Sequence, residues 1–532
     1  MKLVRIFSLF LLLILRLPFD ILAAQIEKDE RFDDRPNILI CMADDASYPY
    51  FGANGNTWVK TPGFDRVARE GIRFTHAYTP NAKCAPSRSC ILTGRNPWQL
   101  EEAANHIPYF PAKFMTYPES LAKHGYFVGM TQKGWAPGVA KDKEGNDRQM
   151  AGIPFNNRTL KPPTSGISRN DYAGNFEDFL NAKPKDKPWC FWYGSVEPHR
   201  SYEYGTGVSL GKKTLDVIDR VPAYLPDNEI VRNDLLDHAF EIEYFDKQII
   251  LMLENLEKRG ELDNTIVIVT ADNGMPFPRS KGQSYEISCH LPFAVMWKGG
   301  IKNQGRVVDD YVSFIDVAPT LLELAQVSQE ESGLQPISGK SLAPIFSSSK
   351  NGIVVPSRNY VLLGRERNDV GRPHDEGYPI RALVKEEFLY LHNFDPERWP
   401  GCNPETGYMD VDGGPSKTEI LNARRNGGEK KYWDLSFAKR PQEELYDLRN
   451  DPDCLNNLSK ELQYQERLKS LKEDLFAQLK AQQDPRILGN GTIFDQYVHA
   501  SGNRNYYERV QKGENVKAGW ITPTDIEKEK IE

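Results

Sequence analysis

The stretch Asn37-Ile38-Leu39-Ile40-Cys41-Met42-Ala43-Asp44-Asp45 decides the fold class, because a continuous apolar run ends there in two adjacent carboxylates. Two later runs follow the same plan, with Glu197-Pro198-His199 after residues 189–193 and Asp272-Asn273-Gly274 after residues 265–270. Short continuous apolar runs are typical of parallel strands that are buried on both faces. Ligands gather outside the carboxyl ends of such strands. The sequence therefore predicts an α/β fold, with a large mostly parallel sheet flanked by helices, and one site shared by these polar clusters.

Composition places the chain among ordinary globular proteins. Its 532 residues are 39% hydrophobic and 27% charged, which is enough material for a large domain followed by a smaller one. The net charge of −7 provides no basic field to attract nucleic acid. We therefore predict no nucleic-acid partner, and any affinity for an anionic substrate must come from a local pocket.

The first 24 residues have the features of an export signal. Lys2 and Arg5 precede an apolar run at 6–15, and Ala23-Ala24 provides small residues for cleavage. The run is too short to span a membrane comfortably. We predict a cleaved signal peptide at 1–24, a periplasmic or secreted protein and no stable membrane insertion; a buried N-terminal helix is the alternative.

The most specific motif is the segment 84–95, which reads Cys-Ala-Pro-Ser-Arg-Ser-Cys-Ile-Leu-Thr-Gly-Arg. A lone cysteine is commonly a buried residue, but Cys84 opens a Cys-x-Pro-Ser-Arg run that ends in Leu-Thr-Gly-Arg. This pattern resembles the formylglycine signature of type I sulfatases. The resemblance implies that a formylglycine-generating maturation enzyme oxidises Cys84 to 3-oxoalanine, whose hydrate attacks the sulfur of a sulfate ester.

A hydrated aldehyde suits this reaction better than a serine, which would be left as a stable sulfate ester. Deprotonation of the second hydroxyl of the hydrate expels sulfate and restores the aldehyde. The resemblance therefore implies a sulfuric ester hydrolase with an alkaline-phosphatase-like fold and a smaller C-terminal α+β subdomain.

Asp44, Asp45, Asp272 and Asn273 are candidate metal ligands. Oxygen ligands suit a hard divalent cation, calcium or magnesium, better than zinc; a solvated loop is the usual alternative for an isolated Asp-Asp pair. Similar segments occur in type I sulfatases, where the four side chains and the modified cysteine bind calcium. The resemblance implies one Ca²⁺, with Mg²⁺ as the alternative, held by these residues and Cys84 and neutralising sulfate oxygens.

Four basic side chains complete the predicted site. Arg88 lies one helical turn after Cys84, on the same face if the segment is helical. The segments around Lys133, His199 and Lys281 resemble segments of type I sulfatases, and the resemblance implies a catalytic role for each residue. It implies that Lys281 contacts the sulfate and that His199 supports the leaving oxygen. His199 or Lys281 supplies the acid for that oxygen, and the fixed cations stabilise developing charge.

Two positions depart from the family pattern. Trp135 stands where the family has a histidine credited with helping to deprotonate the hydrate, and His290 stands where an arginine is common. His290 is a candidate for the substitute base or for a substrate contact, with a structural role as the alternative.

The segments at 272–278 and 374–381 resemble the sulfoglucosamine sulfohydrolase branch and its relatives that act on algal polysaccharides. The resemblance implies a sulfated oligo- or polysaccharide substrate, an ulvan or heparan fragment, with ulvan favoured. His374, Glu376 and Arg381 are then substrate-binding candidates. We predict a catalytic domain at 25–355 and a C-terminal subdomain at 356–532 that contributes to the substrate pocket.

Two other functions stay open at this point. One is a phosphatase or phosphodiesterase of the same superfamily, which requires a Ser or Thr nucleophile and a two-metal set rich in histidine. The other is a non-catalytic sugar-binding relative in which Cys84 is not converted. The segment Asp410-Val411-Asp412-Gly413 resembles a calcium loop without the downstream glutamate, so it is interpreted as an ordinary loop.

Overall fold

The computed structural model describes residues 35–531. The predicted signal peptide at 1–24 lies outside these residues. Among the described residues, no helix is both long enough and apolar enough to cross a membrane.

An eight-stranded sheet forms the centre of the molecule, in the order β10-β2-β9-β8-β1-β7-β4-β6. All neighbouring strands run parallel except β9, which is antiparallel to β2 and β8. The strands are β1 (Asn37–Ala43), β2 (Ile72–Tyr78), β4 (Phe127–Gln132), β6 (Ile153–Pro154), β7 (Trp189–Gly194), β8 (Thr265–Ala271), β9 (Phe293–Met296) and β10 (Arg306–Ser313). A short parallel pair, β3 (Tyr109–Phe110) and β5 (Val139–Ala140), lies apart from this sheet. The predicted large, mostly parallel sheet is confirmed.

The helices cover both faces of the sheet or surround the smaller one. They are α1 (Pro62–Arg69), α2 (Cys84–Thr93), α3 (Tyr117–Lys123), α4 (Tyr172–Ala182), α5 (Thr206–Ser209), α6 (Glu229–Arg259), α7 (Glu286–Cys289), α8 (Val317–Leu324), α9 (Gln329–Ser332), α10 (Ala343–Phe346), α11 (Pro415–Arg425), α12 (Lys431–Ser436), α13 (Gln465–Ala481), α14 (Ile493–Gln496) and α15 (Tyr506–Gln511).

Strand β1 shows why a continuous apolar run forms a central strand. Leu39 and Cys41 face the core that contains α6, whereas Ile38 and Ile40 face the core that contains α2. Because successive side chains point to opposite faces, a strand covered on both sides is apolar along most of its length, here at residues 38–43. All seven residues of β1 are buried, and after Asn37 at its start the next polar side chains are those beyond its end.

A second sheet follows in the C-terminal part of the chain. It is antiparallel throughout, in the order β11 (Tyr360–Arg365), β12 (Ile380–Lys385), β13 (Phe388–Asn393) and β14 (Glu443–Asp447). One face packs on Tyr78, Tyr285 and Tyr311 of the larger unit, and the other face packs on α13. The predicted smaller α+β unit is thus confirmed. The predicted boundary at 355/356 lies in the connection between α10 and β11 and stays a prediction.

An ion pair joins the two sheets. His76 Nε2 of β2 lies 2.8 Å from Glu387 Oε1 in the turn between β12 and β13, and both side chains are partly buried. Burial lowers the pKa of His76, but Glu387, with Glu286 and Asp309 nearby, outweighs it, and the net pKa is raised. A raised pKa in the folded state stabilises the fold below the ordinary histidine pKa, and this contribution is lost as pH rises through the folded value.

We therefore expect Glu387→Gln to lower the Tm more at pH 5.5 than at pH 9. The charged hydrogen bond is worth on the order of 1 kcal/mol when His76 is protonated. Thermal unfolding at both pH values measures the difference. The matched control is Glu386→Gln, which removes an exposed pair with Arg467 and should show no such pH dependence; an equal Tm loss at both pH values for Glu387→Gln contradicts the prediction.

Candidate functional site

The polar residues after β1 and β8 meet at one edge of the sheet. Ala43 and Ala271, the last residues of the two strands, are paired in register, so Asp44, Asp45, Asp272 and Asn273 emerge side by side. The Asp45 amide donates to Asp272 Oδ1 at 3.1 Å, and Asn273 Nδ2 donates to Asp45 Oδ1 at 2.7 Å. All four side chains are buried. The predicted convergence of distant segments therefore occurs.

Cys84 lies in the middle of this group because it is the first residue of α2. Its thiol donates to Asp44 Oδ1 at 3.3 Å. Its Sγ and the carboxylate oxygens of Asp44, Asp45 and Asp272 all lie within 4.8 Å of one another. Burial, followed by the charge of Asp44, raises the pKa of the Cys84 thiol well above its ordinary value. An unmodified thiol in this place is a weak nucleophile, since the thiolate is the reactive form.

Arg88 and Lys133 surround the cysteine on one side. The segment that carries both residues is helical. Arg88 Nε donates to Asp272 Oδ2 at 2.8 Å, and its Nη1 donates to the carbonyl of Lys133 at 2.7 Å. The ammonium of Lys133 contacts the carboxylate of Asp44. Burial raises the pKa of Asp44, but the neighbouring Lys133 more than offsets this and lowers it to about 2. Asp44 therefore stays ionised near neutral pH.

Lys281 and His199 lie on the other side. Lys281 Nζ lies 2.5 Å from Asp45 Oδ2 and 2.7 Å from Asp412 Oδ2. Burial lowers the pKa of Lys281, but Asp412 and Asp45 raise it well above its usual value. His199 Nε2 lies 3.8 Å from the same two carboxylates, and about a third of its side chain (32%) is exposed. His199 is thus the solvent-facing member of the group. Its Nδ1 donates to the carbonyl of Arg200 at 2.6 Å, which leaves Nε2 facing the site.

Asp412 is the residue that sequence reasoning missed. The interpretation of residues 410–413 as an ordinary loop was wrong, because the Asp412 carboxylate binds Lys281. The loop is held by Asp410, which accepts from Arg365 at 2.8 Å and from Arg372 at 2.6 Å. The only sign of it in the sequence was the close spacing of Asp410 and Asp412, which do not form a complete calcium-binding loop.

The donor set suits a hard cation. The carboxylates of Asp44, Asp45 and Asp272 and the amide of Asn273 offer oxygen atoms at one place, with the cations of Arg88, Lys133 and Lys281 around them. Asn273 Oδ1 is buried without a hydrogen-bond partner among the described residues. An orphaned buried oxygen is costly unless something binds it. A set of oxygen ligands fits Ca²⁺ or Mg²⁺.

The two departures from the family pattern occupy different places. The Trp135 indole N–H donates to Ser89 Oγ of α2 at 2.8 Å, so this side chain lies beside the helix that carries Cys84. His290 Nδ1 lies 2.6 Å from Glu286, and its ring stacks on Tyr48 and Tyr78. Among the described residues no contact joins His290 to Cys84, and its Nε2 is buried without a hydrogen-bond partner. Its roles as substitute base or substrate contact stay predictions.

The three substrate-binding candidates of the C-terminal unit do not join the group either. His374 is highly exposed and lies 3.7 Å from Glu508, and Glu376 pairs with Arg398 at 3.3 Å. Arg381 is 1% exposed and pairs with Glu366 and Asp484, so it stabilises the fold from inside. Within residues 35–531 no contact connects any of the three to Cys84. The C-terminal unit contributes to the site through Asp412 instead.

Comparison with known proteins gives concordant results. The family model described as Sulfatase matches residues 36–327, more than half of the chain. An ulvan-active sulfatase of Formosa agariphila is 28% identical over 492 residues, covering 91% of this chain and 87% of the relative. The N-sulphoglucosamine sulphohydrolase of Homo sapiens is 26% identical over 475 residues, covering 82% and 89%.

The fold is also found among solved structures. The structure of BT4656 in complex with its substrate D-glucosamine-2-N,6-O-disulfate aligns with a TM-score of 0.60 at 20% identity, covering 86% of this chain and 99% of that one. At this level of identity the likeness concerns the fold. It agrees with the predicted architecture of a large mixed sheet with flanking helices and a smaller C-terminal sheet.

Proposed function

This chain belongs to the sulfatase family, and from that premise we propose that it is an exported carbohydrate sulfatase that uses a formylglycine made from Cys84 and a bound calcium ion. Sulfuric ester hydrolysis on sulfated glycans is the activity supported by the family match and the named relatives. The finer proposal is that the substrate is a sulfated polysaccharide or its oligosaccharides, with ulvan as the first candidate and O- or N-sulfate as the bond that is cleaved.

One observation carries this proposal. Cys84 Sγ, at the first residue of a helix, lies 3.3 Å from Asp44 Oδ1 inside a group of carboxylates that three buried cations enclose. A helix N-terminus and fixed cations stabilise negative charge. By themselves the burial and the charge of Asp44 oppose an anion at position 84, because they raise the pKa of the Cys84 thiol. An ionised oxygen nucleophile there, with an anionic substrate next to it, therefore requires the proposed calcium ion in addition to the fixed cations.

The roles of the side chains follow from where they lie. Arg88, held by Asp272, and Lys133, held by Asp44, face the nucleophile and stabilise its ionised form. Lys281 lies next to Asp45 and Asp412, where its ammonium binds a sulfate oxygen. His199 in its protonated form donates from Nε2 to the oxygen of the departing sugar; a positioned acid of this kind contributes roughly 10²–10⁴-fold.

The two groups that the family implies fit these residues. When formed, the hydrated aldehyde at position 84 supplies one hydroxyl to attack sulfur and a second whose deprotonation releases sulfate. When bound by Asp44, Asp45, Asp272, Asn273 and residue 84, calcium supplies charge neutralisation for the sulfate oxygens.

Lys281 argues against two-metal phosphoester hydrolysis. Asp45, His199 and Asp412 are spaced so that they could hold a second cation. The Lys281 ammonium already lies between the two carboxylates, at 2.5 Å and 2.7 Å. A fixed ammonium thus supplies the charge at the place where a second metal ion would bind, which supports a one-metal enzyme for sulfate esters.

A sulfate-release screen tests the function. We expect the purified, converted enzyme to release sulfate from at least one of a panel of sulfated oligosaccharides derived from ulvan and heparan. Phosphate monoesters and diesters of the same sugars serve as the comparison. Hydrolysis of the phosphate compounds with no sulfate release would favour the phosphatase alternative.

Replacement of Lys281 by methionine should lower kcat/KM for the sulfate ester by about 10²–10³-fold, because a buried cation that contacts the developing charge is lost. Asp412→Asn should have a smaller effect of about tenfold, since Lys281 keeps Asp45 as a partner. Steady-state kinetics on the best substrate of the screen measures both.

The matched control is Lys213→Met, which removes another largely buried lysine whose partner is Glu243 at 2.6 Å. This variant should keep wild-type kinetics. If Lys281→Met also keeps them, the proposed sulfate contact is wrong.

A further inference from the structure

The loop at residues 407–413 brings Asp412 to the catalytic group. Asp412 Oδ2 lies 2.7 Å from Lys281 Nζ, and its side chain is buried. Two arginines anchor the loop at Asp410, but Asp412 lies two residues beyond that anchor. Gly413 follows directly, and glycine has the greatest backbone freedom of all residues. A second anchor next to Asp412 is therefore needed if its carboxylate is to stay on Lys281.

The segment at residues 518–527, called the strap below, provides such an anchor. The Gly413 amide donates to the Trp520 carbonyl at 2.6 Å, and the Trp520 indole N–H donates to the Met409 carbonyl at 3.0 Å. In the sequence, the two loop residues that form these bonds lie on either side of Asp412. The strap also approaches Gly413 so closely that a Cβ atom there would lie 2.9 Å from Asp525 Oδ2. Glycine at position 413 thus lets the strap contact the backbone immediately after Asp412.

A buried ion pair connects the strap to the same loop. Lys417 Nζ lies 3.3 Å from Asp525 Oδ2 and donates to the carbonyl of Val411 at 2.7 Å. Both charged side chains are buried. A buried lysine that loses its carboxylate partner is left as an uncompensated charge. The Asp525 carboxylate therefore keeps the Lys417 ammonium where it holds the residue that precedes Asp412.

The strap contacts the loop and its surroundings rather than the catalytic side chains. Its other charged residue, Glu527, pairs with Arg424 and Arg425 of α11, at 3.0 Å each. Within residues 35–531 no hydrogen bond or ion pair joins the strap directly to Cys84 or Lys281. An effect of the strap on catalysis therefore has to pass through the loop at 407–413.

We propose that residues 518–527 form a positioning strap, in which Trp520 and Asp525 hold the Asp412 carboxylate on Lys281 and so support sulfate-ester cleavage without touching the substrate. The proposal rests on the proposed function and adds two positioning residues to it. Asp412 shares the Lys281 ammonium with Asp45. A shift of Asp412 therefore changes where Lys281 presents its charge to a sulfate oxygen.

Two variants loosen the strap, and hydrogen exchange measures the response of the loop. Asp525→Asn removes the charge that pairs with Lys417, and Trp520→Phe keeps an aromatic ring but loses the N–H bond to Met409. We expect amide exchange of the peptide that contains residues 407–413 to rise about tenfold in the first variant and about fivefold in the second, as the loss of about one hydrogen bond implies. Trp520 is partly exposed, so its variant keeps the test meaningful if Asp525→Asn fails to fold.

A double-mutant cycle connects the strap to catalysis. Asp525→Asn should lower kcat/KM for the sulfate ester about fivefold and Trp520→Phe about twofold. In an Asp412→Asn background neither change should lower kcat/KM further, because the carboxylate charge that the strap positions is already absent. A strap that only covers apolar surface would give the same loss in both backgrounds.

The matched control is Asp484→Asn, which removes another fully buried carboxylate, one that binds Arg381 at 2.6 Å and does not contact the loop. This variant should also lose stability, since it leaves a buried arginine without a partner. It should keep wild-type exchange of residues 407–413 and wild-type kcat/KM. The control thus separates the loss of a buried ion pair in general from the loss of the pair that holds the loop.

The proposal is overturned if both strap variants keep wild-type exchange of the loop, if faster exchange leaves kcat/KM unchanged, or if their losses multiply with that of Asp412→Asn. Failure of the proposed function gives a different result, namely no sulfate release by the wild-type enzyme from any substrate of the screen. In that case the exchange measurement decides: faster exchange in both variants supports the strap as the anchor of the Asp412 loop, and unchanged exchange refutes it.

Discussion

Cys84→Ala is expected to abolish sulfate release, with a loss of about 10⁴-fold or more, because removal of a covalent nucleophile leaves only binding and charge stabilisation. The fold should persist, since Cys84 is one small side chain among well-packed neighbours. Sulfate release and thermal unfolding of the variant measure both expectations. Before mutation, mass spectrometry of the peptide that contains Cys84 should show a mass about 18 Da below that of the thiol form, as conversion to the aldehyde requires.

Cys90→Ala is the matched control for this variant. Cys90 lies in the same helix and is likewise buried and unpaired, but it faces the apolar core. Its replacement should cost about 1–2 kcal/mol of stability and leave kcat/KM unchanged. Near-normal activity of Cys84→Ala, or an unmodified Cys84 peptide from a fully active preparation, would refute the nucleophile.

Asp272→Asn is expected to remove the metal ion and most of the activity. The substitution keeps the shape of the side chain but takes away a charge from the group in which Asp272 lies beside Asp44 and Asp45. We expect calcium affinity to fall at least about 100-fold and kcat/KM by about 10²–10³-fold. Elemental analysis gives the metal content, and chelation should lower the Tm of the wild-type protein but not that of the variant.

A second effect of this substitution has to be separated from metal loss. Asp272 also binds Arg88 Nε at 2.8 Å, and a buried arginine that loses its partner destabilises the protein. Asp316→Asn controls for this, because Asp316 binds Arg358 at 2.7 Å away from the site. Both variants should lose comparable stability, but only Asp272→Asn should lose calcium; unchanged calcium content in Asp272→Asn would contradict the assigned ligand.

The sheet and the main cluster could be predicted because their signals are local. A strand that is covered on both faces is apolar along most of its length, so β1 and β8 were evident in the sequence, as was the edge at which they end. The spacing of Cys84 and Arg88 within one helix needs only the geometry of a helical turn. These features depend on neighbours in sequence, and they occur as predicted.

Contacts between distant segments were not predictable in the same way. Asp412 meets Lys281 across 131 positions of the chain, and no spacing rule connects them. Arg381 looked like a substrate contact in a polar segment, but β12 turns it inward to Glu366 and Asp484. The sequence of a charged residue is the same whether its side chain lies in a pocket or in a buried ion pair. Only the packing of the folded chain distinguishes the two.

The amino-acid sequence by itself thus establishes the strand ends, the cysteine motif and the candidate ligands, since each follows from periodicity or from a short run of residues. The carboxylate that holds Lys281, the place of Trp135 beside the helix of Cys84 and the inward turn of Arg381 exist only once the chain has folded. The reason is physical: reactivity follows from residue types at fixed local spacing, whereas the shape and charge balance of a pocket arise from surfaces that long-range packing brings together.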